Sequence, residues 1–250
     1  MSEVNFEQKL NEQVPLDLAF RDEAGQTVQL GDYFSEKPVI LVFAYYGCKT
    51  LCSVVLEELV ESLRALKFDV GNQFGVVTVS LDPRDTSTLA AEKKAIQLEH
   101  YGRSGAAAGW RFLTGEHAAI DQLAGAIGFR YAYDAQLDQY AHPAGIVVLT
   151  PEGKISRYFF GLEYSPTDLR LGLVEASANK IGSFVDQVLL RCFQYDPVAG
   201  RYTPIVMNIV RLVGLTTALT LGTSILVMLR WERRRKKPQL DHTIKQGRPT

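Results

Sequence analysis

The sequence predicts an α/β domain, a mixed sheet with helices on its faces, followed by one membrane-spanning helix near the C-terminus. Three observations carry this expectation. Two largely apolar runs, Pro38–Tyr46 and Phe74–Leu81, fit strands buried on both faces. Between them Val55, Leu56, Leu59, Val60, Leu63 and Leu66 recur at helical spacing. Finally, Leu212–Leu229 is eighteen residues without a charge, roughly 27 Å long as a helix. Arg230, Arg233, Arg234, Arg235, Lys236 and Lys237 crowd directly behind it, opposed only by Glu232. Extending the segment back to Ile205 takes in Arg211, which can snorkel to the interface.

Taken in order, Met1–Gln13 reads as a polar arm with three acidic residues and one lysine. It lacks the apolar stretch of a leader peptide, so export is expected to depend on a signal upstream. Val14–Phe20 and Thr27–Leu30 alternate apolar and polar residues around a turn-like 21–26, which predicts a hairpin. Strand 38–46 then leads through the segment Gly47–Cys52 into the first helix. Strand 74–81 is followed by the loop Asp82-Pro83-Arg84-Asp85, read as a capped helix start, and by a helix over 86–101. Trp110–Thr114 is a short strand and Glu116–Ile127 a helix. Gly145–Thr150 and Lys154–Phe160 flank Pro151-Glu152-Gly153, a hairpin pattern. Ser165-Pro166-Thr167-Asp168 combines a capping serine, a proline at the first helical position and an acid in the first turn, predicting a helix to about Ser177. An apolar segment, Ile181–Phe193, and a polar linker, Tyr195–Thr203, lead to the span. The expected organisation is an arm at 1–13, a domain at 14–178, a membrane-proximal helix and linker at 179–203, a span at 204–230 and a basic tail at 231–250.

Composition excludes some functions. Hydrophobic residues make up 46% and charged residues 22%, a globular rather than a disordered balance. Lys and Arg number 27 against 28 Asp and Glu. No broad basic excess is available to neutralise phosphates, so nucleic acid is not an expected partner.

Cys48 and Cys52 stand four apart where a strand meets a helix. On one helical turn they share a face, and the helix N-terminus favours their thiolates. Two thiolates select Cu(I), Cu(II) or Zn. His142, directly before the strand at Gly145, is the best-placed third donor, although by itself it is an ordinary loop histidine. The same cysteines can also be read as a redox dithiol or as small buried hydrophobes. Redox dithiols usually have two intervening residues, and this pair has three. Cys192 reads as a packing residue near the span. His100 and His117 read as surface groups, and His242 in the tail carries no signal.

Several motifs together resemble the Sco/SenC family of copper proteins. They are Val14-Pro15-Leu16-Asp17-Leu18, Cys48-Lys49-Thr50-Leu51-Cys52, Ser80-Leu81-Asp82-Pro83-Arg84-Asp85-Thr86, Trp110-Arg111-Phe112-Leu113-Thr114-Gly115, and the stretch from His142 to Lys154. The resemblance spans about residues 14–175. It implies a thioredoxin-like fold, Cys48, Cys52 and His142 as ligands of Cu(I) or Cu(II), and a role in building the binuclear copper centre of cytochrome c oxidase. The implied partners are that enzyme's copper-bearing subunit, other copper carriers or thiol reductants, and membrane lipid. The chain departs from the family's habits at Lys49, Thr50 and Ser53, where proline and aspartate are common. It departs again at Ala141, where aspartate is common, and in placing its anchor at the C-terminus.

Two activities compete for the same thiols. One is copper delivery. The other is thiol-disulfide exchange on an oxidase subunit or another exported protein, the form in which the chain would be an enzyme. A peroxiredoxin-like activity is disfavoured, because the proline-threonine-cysteine pattern is missing. The basic cluster behind the span predicts a single-pass protein of the inner (cell) membrane, with the domain on the periplasmic, outer face and the tail in the cytoplasm.

Overall fold

Successive side chains of a strand point to opposite faces, so six consecutive apolar residues need a packed layer on each side. In the computed structural model, which describes residues 4–47, 51–179, 195–196, 201–202 and 204–235, β4 (Val39–Ala44) lies at the centre of a five-stranded sheet. On one side it pairs in parallel with β5 (Gly75–Ser80), which pairs in parallel with β6 (Trp110–Leu113). On the other side it pairs antiparallel with β10 (Gly145–Leu149), and β10 with β11 (Ile155–Phe160). The order β11-β10-β4-β5-β6 is the expected mixed sheet.

The two faces of β4 anchor two cores. Ile40, Val42 and Ala44 meet one cluster, in which α1 (Leu51–Ala65) buries Val55, Leu56, Leu59, Val60 and Leu63. That layer also contains α2 (Ser87–Tyr101) and α5 (Pro166–Ser177). Val39, Leu41 and Phe43 meet the other cluster. It is built from α4 (His117–Ala126) and the hairpin of β2 (Ala19–Arg21) and β3 (Thr27–Gln29). Each fully buried leucine or isoleucine contributes about 2 kcal/mol, which explains why the apolar run tolerates no polar residue.

The local signals act as read. Ser165 Oγ accepts the Asp168 amide at 3.5 Å with Pro166 opening α5. Thr86 caps α2 by accepting the Leu89 amide at 3.3 Å. The β10–β11 turn closes at Gly153, whose φ of +80° suits glycine.

Three features are additions to the sequence reading. A short helix, α3 (Ala106–Gly109), precedes β6. The polar arm is tied down: β1 (Asn5–Phe6) pairs with β7 (Phe129–Arg130), and the Phe6 ring meets Phe129, Tyr158 and Phe160 edge-on at 5.1, 5.2 and 5.4 Å. A single aromatic in a polar stretch gives no period, so composition hid the contact. Finally, β8 (Ala132–Asp134) and β9 (Gln139–Ala141) form a two-stranded ribbon separate from the main sheet.

The chain forms two compact units, Met1–Phe184 and Val185–Thr250. The apolar segment at 181–193 falls outside the described residues. The second unit contains a short hairpin, β12 (Tyr195–Asp196) with β13 (Arg201–Tyr202), and a helix over Pro204–Arg235. Its window Gly214–Trp231 has a mean hydropathy of 1.2, long and apolar enough to cross a bilayer. Within that window Thr220 and Thr223 return their hydroxyls to the Thr216 and Leu219 carbonyls, both at 2.7 Å. These bonds satisfy the hydroxyls inside the helix.

Candidate metal centre

The segment carrying the cysteines is held firmly at its start. Tyr46, two residues before Cys48, is buried, and its hydroxyl lies 3.0 Å from the Thr78 carbonyl and 2.9 Å from that of Leu113. Burial, reinforced by the Asp85 carboxylate, keeps this phenol protonated. The Tyr46 amide donates to Asp85 Oδ2 at 2.9 Å, and the same oxygen accepts the Ser80 hydroxyl at 2.5 Å. Burial raises the Asp85 carboxyl above its ordinary value, although both donors oppose the shift. The backbone reaching Gly47 is thus fixed through both its side chain and its amide.

Helix α1 begins at Leu51, so the backbone of Cys52 lies in its first turn. Cys48, Lys49 and Thr50 lie outside the described residues, as do the side chains of Leu51, Cys52 and Ser53, and as does Cys192. Among the described residues, no three His, Cys, Asp or Glu side chains converge.

His142 sits between β9 and β10, buried at 9% exposure, with its ring stacked on Phe129 at 6.1 Å. Nδ1 lies 2.9 Å from the Pro143 carbonyl. A carbonyl can only accept, so Nδ1 carries the proton and Nε2 the lone pair. Burial lowers the imidazole's pKa, and the carbonyl contact opposes this only in part. A neutral imidazole with its Nδ1–H engaged by backbone is the form that ligates metals. Such an imidazole with two thiols is a combination of donors that suits copper. His100 and His117 are exposed as expected, the latter 3.3 Å from Asp121.

Antiparallel pairing places the end of β4, which leads to Cys48, beside the start of β10, which follows His142. Aromatic contact continues this approach, since the Tyr45 and Tyr140 rings meet edge-on at 6.0 Å. Tyr140 also packs on Tyr131 at 5.7 Å and Tyr133 at 5.1 Å. Burial, aided by the Asp82 carboxylate, raises the phenols of Tyr45 and Tyr140. The wall beside the imidazole is therefore aromatic and uncharged at neutral pH. Sequence reading missed this wall. Its available signal was the alternation Phe129, Tyr131, Tyr133 followed by a turn and Tyr140.

The model of the SCO1/SenC family matches residues 7–172. No curated protein sequence matches the chain. Among solved structures, an Aquifex aeolicus VF5 protein named for electron transfer is 27% identical, with a TM-score of 0.59, covering 69% of this chain and 96% of its own. Arabidopsis thaliana ScoI with copper bound is 20% identical, with a TM-score of 0.53 and coverages of 65% and 96%. BsSco, a Sco-family cytochrome c oxidase assembly protein in which a disulfide switch was identified, is 22% identical, with a TM-score of 0.51 and coverages of 70% and 99%. The latter two share the fold.

Proposed function

The chain belongs to the SCO1/SenC family, and from that membership we propose that it carries copper and assists assembly of the binuclear copper centre of cytochrome c oxidase. The cargo is held by the Cys48 and Cys52 thiolates and by Nε2 of His142. The observation that carries this reading is the buried, neutral His142, its Nδ1 engaged with the Pro143 carbonyl, just before the strand that borders the route to Cys48. Binding displaces one proton from each thiol and none from the imidazole. Delivery proceeds by exchange of these ligands for those of the oxidase's copper-bearing subunit, with loading from another copper carrier. The copper in the Arabidopsis relative and the assembly role of BsSco's family support the assignment. The copper-binding domain spans 14–178, and the linker at 179–203 leads to a single span at 204–230. The domain faces the periplasmic side of the inner membrane, with the tail at 231–250 in the cytoplasm.

A second reading is favoured by the disulfide switch of BsSco. Here one thiolate of the pair attacks a disulfide of an exported protein, and the other cysteine resolves the mixed disulfide. Two electrons pass to the target, which leaves as a dithiol, while Cys48 and Cys52 end as a disulfide. Metal titration of the detergent-solubilised chain separates the readings. One copper should bind per chain, with a visible thiolate charge-transfer band in the Cu(II) form. Cys48→Ser or Cys52→Ser should abolish binding, and His142→Ala should weaken it by about a hundredfold while leaving thiol exchange intact. Wild-type affinity in the double cysteine variant would sink the copper reading.

A further inference from the structure

The Asp82-Pro83-Arg84-Asp85 turn does more than start a helix, since Thr86 alone caps α2. Its three charged side chains reach in two directions. Asp85 reaches back to the Tyr46 amide, on the segment leading to Cys48. Asp82 is buried, and its carboxylate receives Arg84 Nε at 2.9 and 3.0 Å, Arg84 Nη2 at 2.8 Å and the Arg84 amide at 2.9 Å. This lays the guanidinium flat and aims Nη1 at Asp138 Oδ1, 2.8 Å away. Asp138 lies in the turn of the β8–β9 ribbon, four residues before His142. The Tyr133 hydroxyl donates to the same Oδ1 at 2.5 Å, and the guanidinium lies over the Tyr133 ring at 5.6 Å.

We propose that Arg84 and Asp85 are positioning residues: through them one turn clamps the ribbon that delivers His142 against the segment that delivers the cysteines. This rests on the copper reading above and adds what aligns its ligands. A solvent-exposed ion pair is ordinarily weak, because two long side chains must be immobilised to form it. Here Asp82 has already immobilised Arg84, and Tyr133 has done the same for Asp138, so little ordering remains to oppose the bond. The ribbon needs such an attachment. It is a two-stranded sheet of its own, and two strands alone are marginal in water. Among the described residues no ladder joins it to β4 or β10; Arg84 reaches its tip, while the contacts of Tyr140 with Tyr45 and Tyr131 hold its base.

The test uses the full chain in detergent and four proteins: wild type, Arg84→Gln, Asp138→Asn and the double variant. Asp138 is exposed, so Asp138→Asn does not threaten folding. Each single variant should weaken Cu(I) binding about tenfold, as expected of residues that orient ligands. The double variant should be no weaker than the weaker single, because the two act through one bond. The charge-transfer band of the Cu(II) form should shift in the same proteins. Without metal, amides of 132–141 should exchange faster in the variants while those of β4 and β10 do not. Wild-type affinity in both single variants, additive losses in the double, or unchanged exchange in the ribbon would each overturn the clamp. A wild-type chain that takes up no copper would instead defeat the copper reading, and the metal-free exchange would still decide the clamp.

Discussion

Glu23 illustrates how much one carboxylate can join. From the turn between β2 and β3 it accepts Lys94 of α2, Arg111 of β6 at 3.2 Å and the Phe112 amide at 3.2 Å. Burial alone would raise its pKa, but Lys94, its own backbone amide and that of Phe112 hold it below the ordinary carboxylate value. A lowered folded pKa means stability that is present above the unfolded value, about 4.3, and is lost as pH falls through the folded value. By removing the charge that Lys94 and Arg111 meet, Glu23→Gln should cost about 1.5–3 kcal/mol near neutrality and flatten the acid limb of a urea-stability profile. An acid limb identical to wild type would refute this. At this scale the sequence was only partly legible. The proposed pairing of Cys48 and Cys52 rests on their spacing, a local signal that a sequence displays directly. Arg84 and Asp138 lie 54 residues apart, and no local pattern announces a contact that only folding creates.

Elements were more legible than contacts, and for a physical reason. Burial on one or two faces imposes a period, and Val39–Ala44, α1 and the Ser165-capped α5 each display theirs. The β8–β9 ribbon escaped because three-residue strands are too short to carry a period and much of their surface is exposed. The first strand escaped for a related reason, since its one aromatic anchor, Phe6, gives no period. Phe6→Ala should release the segment and lower stability by about 1–2 kcal/mol, the loss of three aromatic contacts at a half-buried site. Thermal melts and faster amide exchange at residues 5–13 would register it. Unchanged exchange there would mean that the backbone pairing with Phe129–Arg130 suffices.

The whole molecule reads as a domain followed by an apolar helix, and the charge around that helix predicts its orientation. Six basic residues crowd the C-terminal end of the proposed span and one, Arg211, stands near its other end. Positive charge is retained in the cytoplasm. Alkaline phosphatase fused before Ile205 should therefore be active, and a fluorescent protein fused after Thr250 should glow. The reverse pair of results would overturn the periplasmic placement of the domain and with it the proposed oxidase partner.

The pairing of β10 with β4 sets a timetable for the molecule's own biogenesis. Val147 stands opposite Leu41, so the neighbours that frame the donor set are separated by most of the domain's synthesis. A ribosome-bound chain that has displayed both cysteines still lacks the histidine. Even after the histidine emerges, β10 must pair with β4, and β11 with β10, before the imidazole stands in place. Such a long closure is completed late in folding. On the proposed function the ion would board a finished structure, in contrast to domains that a metal folds around itself.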